Sequence, residues 1–185
     1  NIASVNGTIT INTEAEKYLH IIAEDNVGNV TSDNVFGPYY IDRTAPSISV
    51  NPQNCDWTQE VQVQVSFTDG GAGFKQYRYA ITDSRDAPTT WNDYITKSTD
   101  TIMINTETEK YLHIIAEDNI GNISEDVVNG PYLIDRTNPT IQVLGDLTNI
   151  NIDVLTLDLE ANDVPSGVAT FKMDGEVIFN GNHTF

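Results

Sequence analysis

Residues 109–119 read EKYLHIIAEDN, and residues 16–26 spell the same eleven letters 93 positions earlier. Within the stretch, Leu112, Ile114 and Ala116 share one parity, while Tyr111, His113 and Ile115 share the other. Successive strand side chains point to opposite faces, so the pattern predicts a strand over 110–117 with the first set toward a core. It runs into Asp118-Asn119-Ile120-Gly121-Asn122, a string of turn formers with a glycine available for positive φ. Aligned without gaps, residues 8–44 match 101–137 at 28 of 37 positions. A period of 93 is too long for a solenoid unit and suits a small β-sandwich. Identity this high suggests recent duplication, and two copies that do the same job.

The neighbouring segments carry the same period-two signal. Residues 60–68 (EVQVQVSFT) alternate Val61, Val63, Val65 and Phe67 against Gln62, Gln64 and Ser66, the pattern of a half-buried antiparallel strand. Further strands are expected over 46–50, 74–81, 101–105 and 131–134, with no helical stripe of useful length. That makes about seven strands per unit: an all-β chain of tandem immunoglobulin-like sandwich modules of about 93 residues. The earlier part of the unit recurs too. APSISV at 45–50 parallels NPTIQV at 138–143, and FTDGGAGFKQYRY at 67–79 parallels ANDVPSGVATFKM at 161–173. Residues 45–136 are therefore expected to form one complete module, 1–44 the back half of a preceding one and 137–185 the front part of a following one. A half-sandwich exposes core and strand edges. Each is expected to be completed within the chain, between neighbours, or by polypeptide continuing past both sides.

Twenty-seven acids face nine bases, a formal charge of −18. That field disfavours nucleic acid and anionic lipid as partners and suits an extracellular chain or a divalent-cation binder. Cys55 is the single cysteine, without the spacing of a zinc site. No run approaches the ~18 apolar residues of a membrane helix.

IDRTAPSISV, FTDGGAGFKQYRYAI, the Thr90-Trp91 pair, EKYLHIIAEDNIGN and GPYLIDRT resemble the tandem bacterial immunoglobulin-like repeats of Gram-positive, often clostridial, cell-surface proteins. The resemblance implies the sandwich fold and a cell-surface or secreted location. It implies no single ligand, because members serve as stalks, adhesins and spacers beside enzymes. Residues 163–167 (DVPSG) depart from the Gly-rich turn of the other copy.

In such a sandwich the entry to the first strand, the second-to-third turn and the sixth-to-seventh turn share one pole. That collects Asp42, Asp69, Glu117, Asp118 and Asn119 as a candidate Ca²⁺ site at the module junction, since Ca²⁺ takes six to eight hard oxygens in flexible geometry. The counterparts are Glu24, Asp25 and Asn26 in the preceding copy, and Asp135 with Asp163 at the next junction. The same residues also make turns without any metal. His20, His113 and His183 read as surface or cross-strand histidines, with no triad partner in the sequence. Trp57, Trp91, Tyr77, Tyr79, Tyr94 and the Tyr39-Tyr40 pair are either a platform for sugar or peptide, or core packing. Lys75 or Lys110 are the lysines available for an intramolecular Lys–Asn bond. No phosphate loop, metalloprotease motif or dinucleotide fingerprint is present, and no catalytic residue stands out.

The expected function is a structural spacer or stalk segment of an extracellular bacterial surface protein or adhesin. Its partners are its own neighbouring modules, with any host or cell-wall ligand held elsewhere in the parent and no membrane insertion in this segment. The alternative is a ligand-binding accessory module, for carbohydrate or host protein, of an adhesin or secreted enzyme. Repetition favours the spacer, because a specific binding head is usually unique.

Overall fold

The computed structural model describes residues 6–144, 158–173 and 176–180, and every described element is a strand or turn; His183 lies outside these residues. Seven strands form a sandwich: β3 (Ser47–Asn51), β4 (Cys55–Thr58), β5 (Val61–Thr68), β6 (Phe74–Thr82), β7 (Thr99–Ile104), β8 (Thr108–Asp118) and β9 (Val127–Ile134). One sheet has the order β3-β5-β7 and the other β4-β9-β8-β6. All neighbours are antiparallel except β4, which lies parallel to β9. This is an all-β sandwich, in keeping with the strands the alternation predicts.

The alternation on β5 is realised residue by residue: Val63, Val65 and Phe67 are buried, while Gln62 and Gln64 are exposed. Facing them across the sandwich are Leu112, Ile114 and Ala116 of β8, Tyr77 of β6, and Tyr132 and Ile134 of β9. Phe67 stacks between Phe74 and Tyr77, with centroids 5.0 and 4.3 Å away. The buried phenols keep acceptors, as buried hydroxyls must: Tyr77 donates to Asp100 at 2.8 Å and Tyr132 to the Pro52 carbonyl at 2.7 Å. The strand absent from the sequence reading is β4. Its four residues are too few to show an alternation.

The outward face of β8 departs from expectation. His113, expected to be a surface or cross-strand histidine on this face, is fully buried, and Tyr111 is nearly so. The long β6–β7 connection folds over that face. Its Ser84 carbonyl lies 3.2 Å from His113 Nε2, and its Arg85 guanidinium sits 5.0 Å over the Tyr111 ring. Farther along, Asn92 and Ile95 take up the free edge of β6 by pairing with the backbone of Tyr79 and Tyr77. An unpaired edge invites adventitious strand pairing, and this connection removes it.

The repeated sequence folds repeatedly. β1 (Ala15–Ile21) and β2 (Asn34–Ile41) pair with the register of β8 and β9: Lys17 faces Tyr39 as Lys110 faces Tyr132, with the same bulge before Leu19 and Leu112. Beyond the sandwich, β10 (Thr140–Leu144) pairs with β11 (Asp158–Asn162), and β12 (Thr170–Met173) with β13 (Glu176–Asn180).

Candidate functional site

The pole where the 69–73 turn and the 118–122 turn meet receives the segment that follows β2. Asp42 follows directly on the last residue of β2, Asp69 on the last residue of β5, and Asp118 is the last residue of β8. Their carboxylates converge, with one oxygen from each within 4.8 Å of the others. Three of the five residues chosen from sequence are thus brought together. Glu117 is not among them. Strand alternation turns it to the opposite face, where it accepts hydrogen bonds from Lys75 and Gln76, both at 2.7 Å. Asn119 stays at the pole but spends its amide N–H groups on the carbonyls of Ala72 and Gly73, at 2.8 and 3.0 Å.

Each of the three carboxylates is held by backbone amides. Asp118 is fully buried. Its Oδ1 accepts from the amides of Ile120, Gly121 and Asn122 at 2.7–3.0 Å, and its Oδ2 from the Asn122 side chain at 2.7 Å. Burial alone would raise its pKa, but the donors from Asn122, Ile120 and Gly121 outweigh it and hold the group below the ordinary aspartate range. Asp69 accepts from Gly73 N at 2.6 Å. Asp42 makes the contact that crosses between segments: Oδ2 accepts from the amide of Ala72, while Oδ1 accepts from Thr44 N at 3.0 Å. Asn122 adds a long bond, 3.4 Å, to the Thr44 carbonyl. Gly71 explains how the approach is possible. A Cβ built there would overlap the Asp42 carboxylate.

The same device stands 93 residues on. Asp135 Oδ1 accepts from Thr137 N at 3.0 Å, as Asp42 does from Thr44, and its Oδ2 accepts from Ser166 N at 3.1 Å, the turn of the following segment. Donors from Ser166 and Thr137 push its pKa far down. Asp163 accepts from the Ser166 hydroxyl at 3.0 Å. In the preceding copy Asp25 binds Val27 N, Asn29 N and the Asn29 side chain at 3.0, 2.9 and 2.7 Å. The D-N-x-G-N turn therefore closes around its own first carboxylate in both copies. Glu24 bridges to Val30 instead, as Glu117 does to Ile123.

Sequence reasoning missed Ala72, Ser166 and Asn122. The first two act through backbone amides, which any residue but proline supplies. Asn122 did have a signal, its recurrence as Asn29.

The remaining candidates are dispersed. Tyr77 and Tyr79 stack at 6.4 Å, with Tyr77 in the core; Trp91 and Tyr94 lie 5.3 and 5.1 Å from the Arg78 guanidinium. Trp57 is on β4, and Tyr39 and Tyr40 are on β2. Lys75 pairs with Glu117 and Lys110 with Asp83. Cys55 is a free, half-buried thiol whose strand position faces Tyr132. No protein-family model matches the chain, and no curated protein matches it.

Proposed function

We propose that this chain is a spacer segment of an extracellular bacterial surface protein, a stalk or adhesin arm built of tandem immunoglobulin-like repeats. The observation that carries this reading is the recurrent junction. Asp42 and Asp135, 93 positions apart, each leave a strand, cap the threonine two residues on, and accept an amide from the turn of the following segment. A charge-assisted bond from linker to neighbour is a way to fix an inter-segment angle, and its value grows with repetition. Each sandwich adds length and each aspartate limits bending, so the array holds what it carries at a distance.

Ca²⁺ fits the same pole. Asp42, Asp69 and Asp118 bring three negative charges into one place without a lysine or arginine partner among the described residues. Asp118 Oδ1 is taken up by three amides, but its Oδ2 and the oxygens of Asp42 and Asp69 each accept at most one bond and retain a lone pair. A bound divalent cation would offset the repulsion and tie the linker to both turns.

Trypsin tests the reading, because Arg43 and Arg136 sit in the exposed linkers, one residue after each aspartate. The wild-type linkers should resist limited cleavage. Asp42→Ala should speed cleavage after Arg43 several-fold while leaving Arg136 unchanged, and Asp135→Ala should do the converse. Equal cleavage in all three proteins would overturn the spacer mechanism.

A further inference from the structure

Arg78 lies on β6 between Tyr77 and Tyr79, which turn toward the core, so strand alternation puts its side chain on the outward face of the four-stranded sheet. There its guanidinium carbon stands 5.3 Å from the centre of the Trp91 ring and 5.1 Å from that of Tyr94. The backbone beside the rings fixes them. Asn92 N donates to the Tyr79 carbonyl at 3.1 Å and its Oδ1 accepts from Tyr79 N at 2.6 Å, while Ile95 and Tyr77 exchange two bonds of 2.8 Å. The loop is thus pinned to β6 on either side of Arg78, and each aromatic residue adjoins a pin.

What the guanidinium lacks is an acceptor. Arg43, Arg85 and Arg136 each donate to a main-chain carbonyl. Among the described residues the Arg78 side chain makes no hydrogen bond and no ion pair, although the chain carries 27 acids against 9 bases. Its Nε is buried without a partner. Glu117, two residues along β8 from Ile115, the register partner of Arg78, is committed to Lys75 and Gln76. Asp93, between the two rings in sequence, is exposed and forms no ion pair with Arg78. In the aligned strand 94 positions on, Lys172 takes the place of Arg78, so a cation recurs there in a chain poor in them.

A purely structural clamp between rings uses the faces of a guanidinium. Its edge, a planar fork of N–H donors, is matched by a carboxylate, which it takes through two parallel N–H···O bonds. The exposed aromatic surface shapes the rest of the ligand. Tyr94 is 46% exposed and Trp91 half-buried, so a ring with an apolar C–H face can stack beside the carboxylate. An extended peptide would need a free strand edge, and Asn92 and Ile95 already occupy that of β6. A polyanion would meet the field of a chain at −18, whereas one carboxylate is a local contact.

We propose that Arg78, Trp91 and Tyr94 form a binding site for a carboxylate-bearing sugar, a uronic or sialic acid residue of a glycan. Arg78 holds the carboxylate and the rings hold the sugar face. The site uses none of the junction residues: Phe74, not Arg78, is the β6 residue paired with Asp118. It therefore stands or falls apart from the spacer reading.

Tryptophan emission reads the site directly, because Trp57→Phe leaves Trp91 as the single tryptophan. In that background glucuronate should change the emission saturably, with a Kd on the order of 1 mM for so few contacts. Its methyl ester keeps the ring and loses the charge, and should bind about ten-fold more weakly or not at all. Arg78→Lys keeps a cation without the fork and should also cost about ten-fold; Arg78→Gln should abolish the response. The ester and Arg78→Lys decide the matter even where Arg78→Gln loosens the loop. No saturable response to glucuronate or to N-acetylneuraminate from the folded chain would overturn the proposal. So would equal affinity for acid and ester, or affinity unchanged in both Arg78 variants. Tighter binding of N-acetylphenylalanine than of either sugar acid would overturn the sugar assignment and point to a peptide carboxyl terminus.

Discussion

The imidazole of His113 is completely buried, and its Nδ1 lies 2.8 Å from the carboxylate of Asp126. The same two residues recur as His20 and Asp33, 2.7 Å apart, with side chains 59% and 49% exposed. Sequence and distance are shared; only the covering loop differs. A buried polar group left without its partner is costly, whereas an exposed pair contributes little. His113→Ala should destabilise the sandwich by about 3 kcal/mol, because it opens a cavity and strands Asp126, whose Oδ1 already lacks a partner among the described residues. His20→Ala should leave the chemical-denaturation midpoint where it is. Equal effects would mean that the loop over His113 contributes nothing.

Gly130 belongs to the repeated G-P-Y motif and has φ of 128°. A Cβ there would stand 2.7 Å from the Lys110 carbonyl oxygen and 3.0 Å from the Tyr111 ring. The nearest obstacle is backbone within the β8–β9 ladder, so it cannot swing aside. Gly130→Ala should cost about 3 kcal/mol, combining the strained dihedral with the overlap. Thermal unfolding monitored by far-UV circular dichroism would show it; a shift of under a degree would mean that the ladder adapts.

The strands with clean alternation are legible in the sequence itself. Val63, Val65 and Phe67, and Leu112, Ile114 and Ala116, all face inward as their parity demands. So is the gathering of Asp42, Asp69 and Asp118 at one pole, because an immunoglobulin-like strand order puts the entry segment and these two turns at the same end. The burial of His113 on that outward face is hidden from the sequence for a definite reason. Period two says which face a side chain takes, but not whether a loop 30 residues away lies over that face. Glu117 was grouped with Asp118 by adjacency, although neighbours on a strand point apart. The amide donors of Ala72 and Ser166 left no mark in the sequence, since the bond needs only a backbone N–H.

Comparing wild type with an Asp118 variant across acid pH isolates this carboxyl from the other lowered ones, Asp135 among them. The Asp118 carboxyl is held below the ordinary aspartate range of about 3.9, so the folded state favours the ionised form. That contribution is whole above the ordinary range and is lost as pH falls through the depressed native value. Asp118→Asn should lower stability at pH 7 by about 2 kcal/mol, since it sets an amide among donors. The gap between variant and wild type should narrow below pH 4. A gap that is constant from pH 7 to pH 2 would show that ionisation of this group is not coupled to folding.

Calcium should act at the same pole. In excess Ca²⁺ the melting temperature should rise by several degrees over that in chelator, by linkage to the folded state. Asp69→Ala or Asp118→Ala should abolish the increment, whereas Glu117→Ala should keep it, because Glu117 is turned toward Lys75. An increment that vanished with Glu117→Ala as well would place the ion elsewhere than among the three converging carboxylates.

Gly71 separates the junction from the stability of the sandwich. It is exposed and is not one of the positive-φ glycines, so alanine meets no left-handed backbone there. What the new methyl meets is the Asp42 carboxylate. Gly71→Ala should therefore displace Asp42 from the Ala72 amide without disturbing the core, where Val65 and Phe67 remain packed. The melt should be unchanged, while trypsin cleavage after Arg43 should rise as far as in Asp42→Ala. Combining the two substitutions should add nothing further, because both break one contact. If Gly71→Ala instead lowered the melt and left cleavage slow, the close approach of Asp42 would be a feature of the turn's own packing and not the clasp between segments.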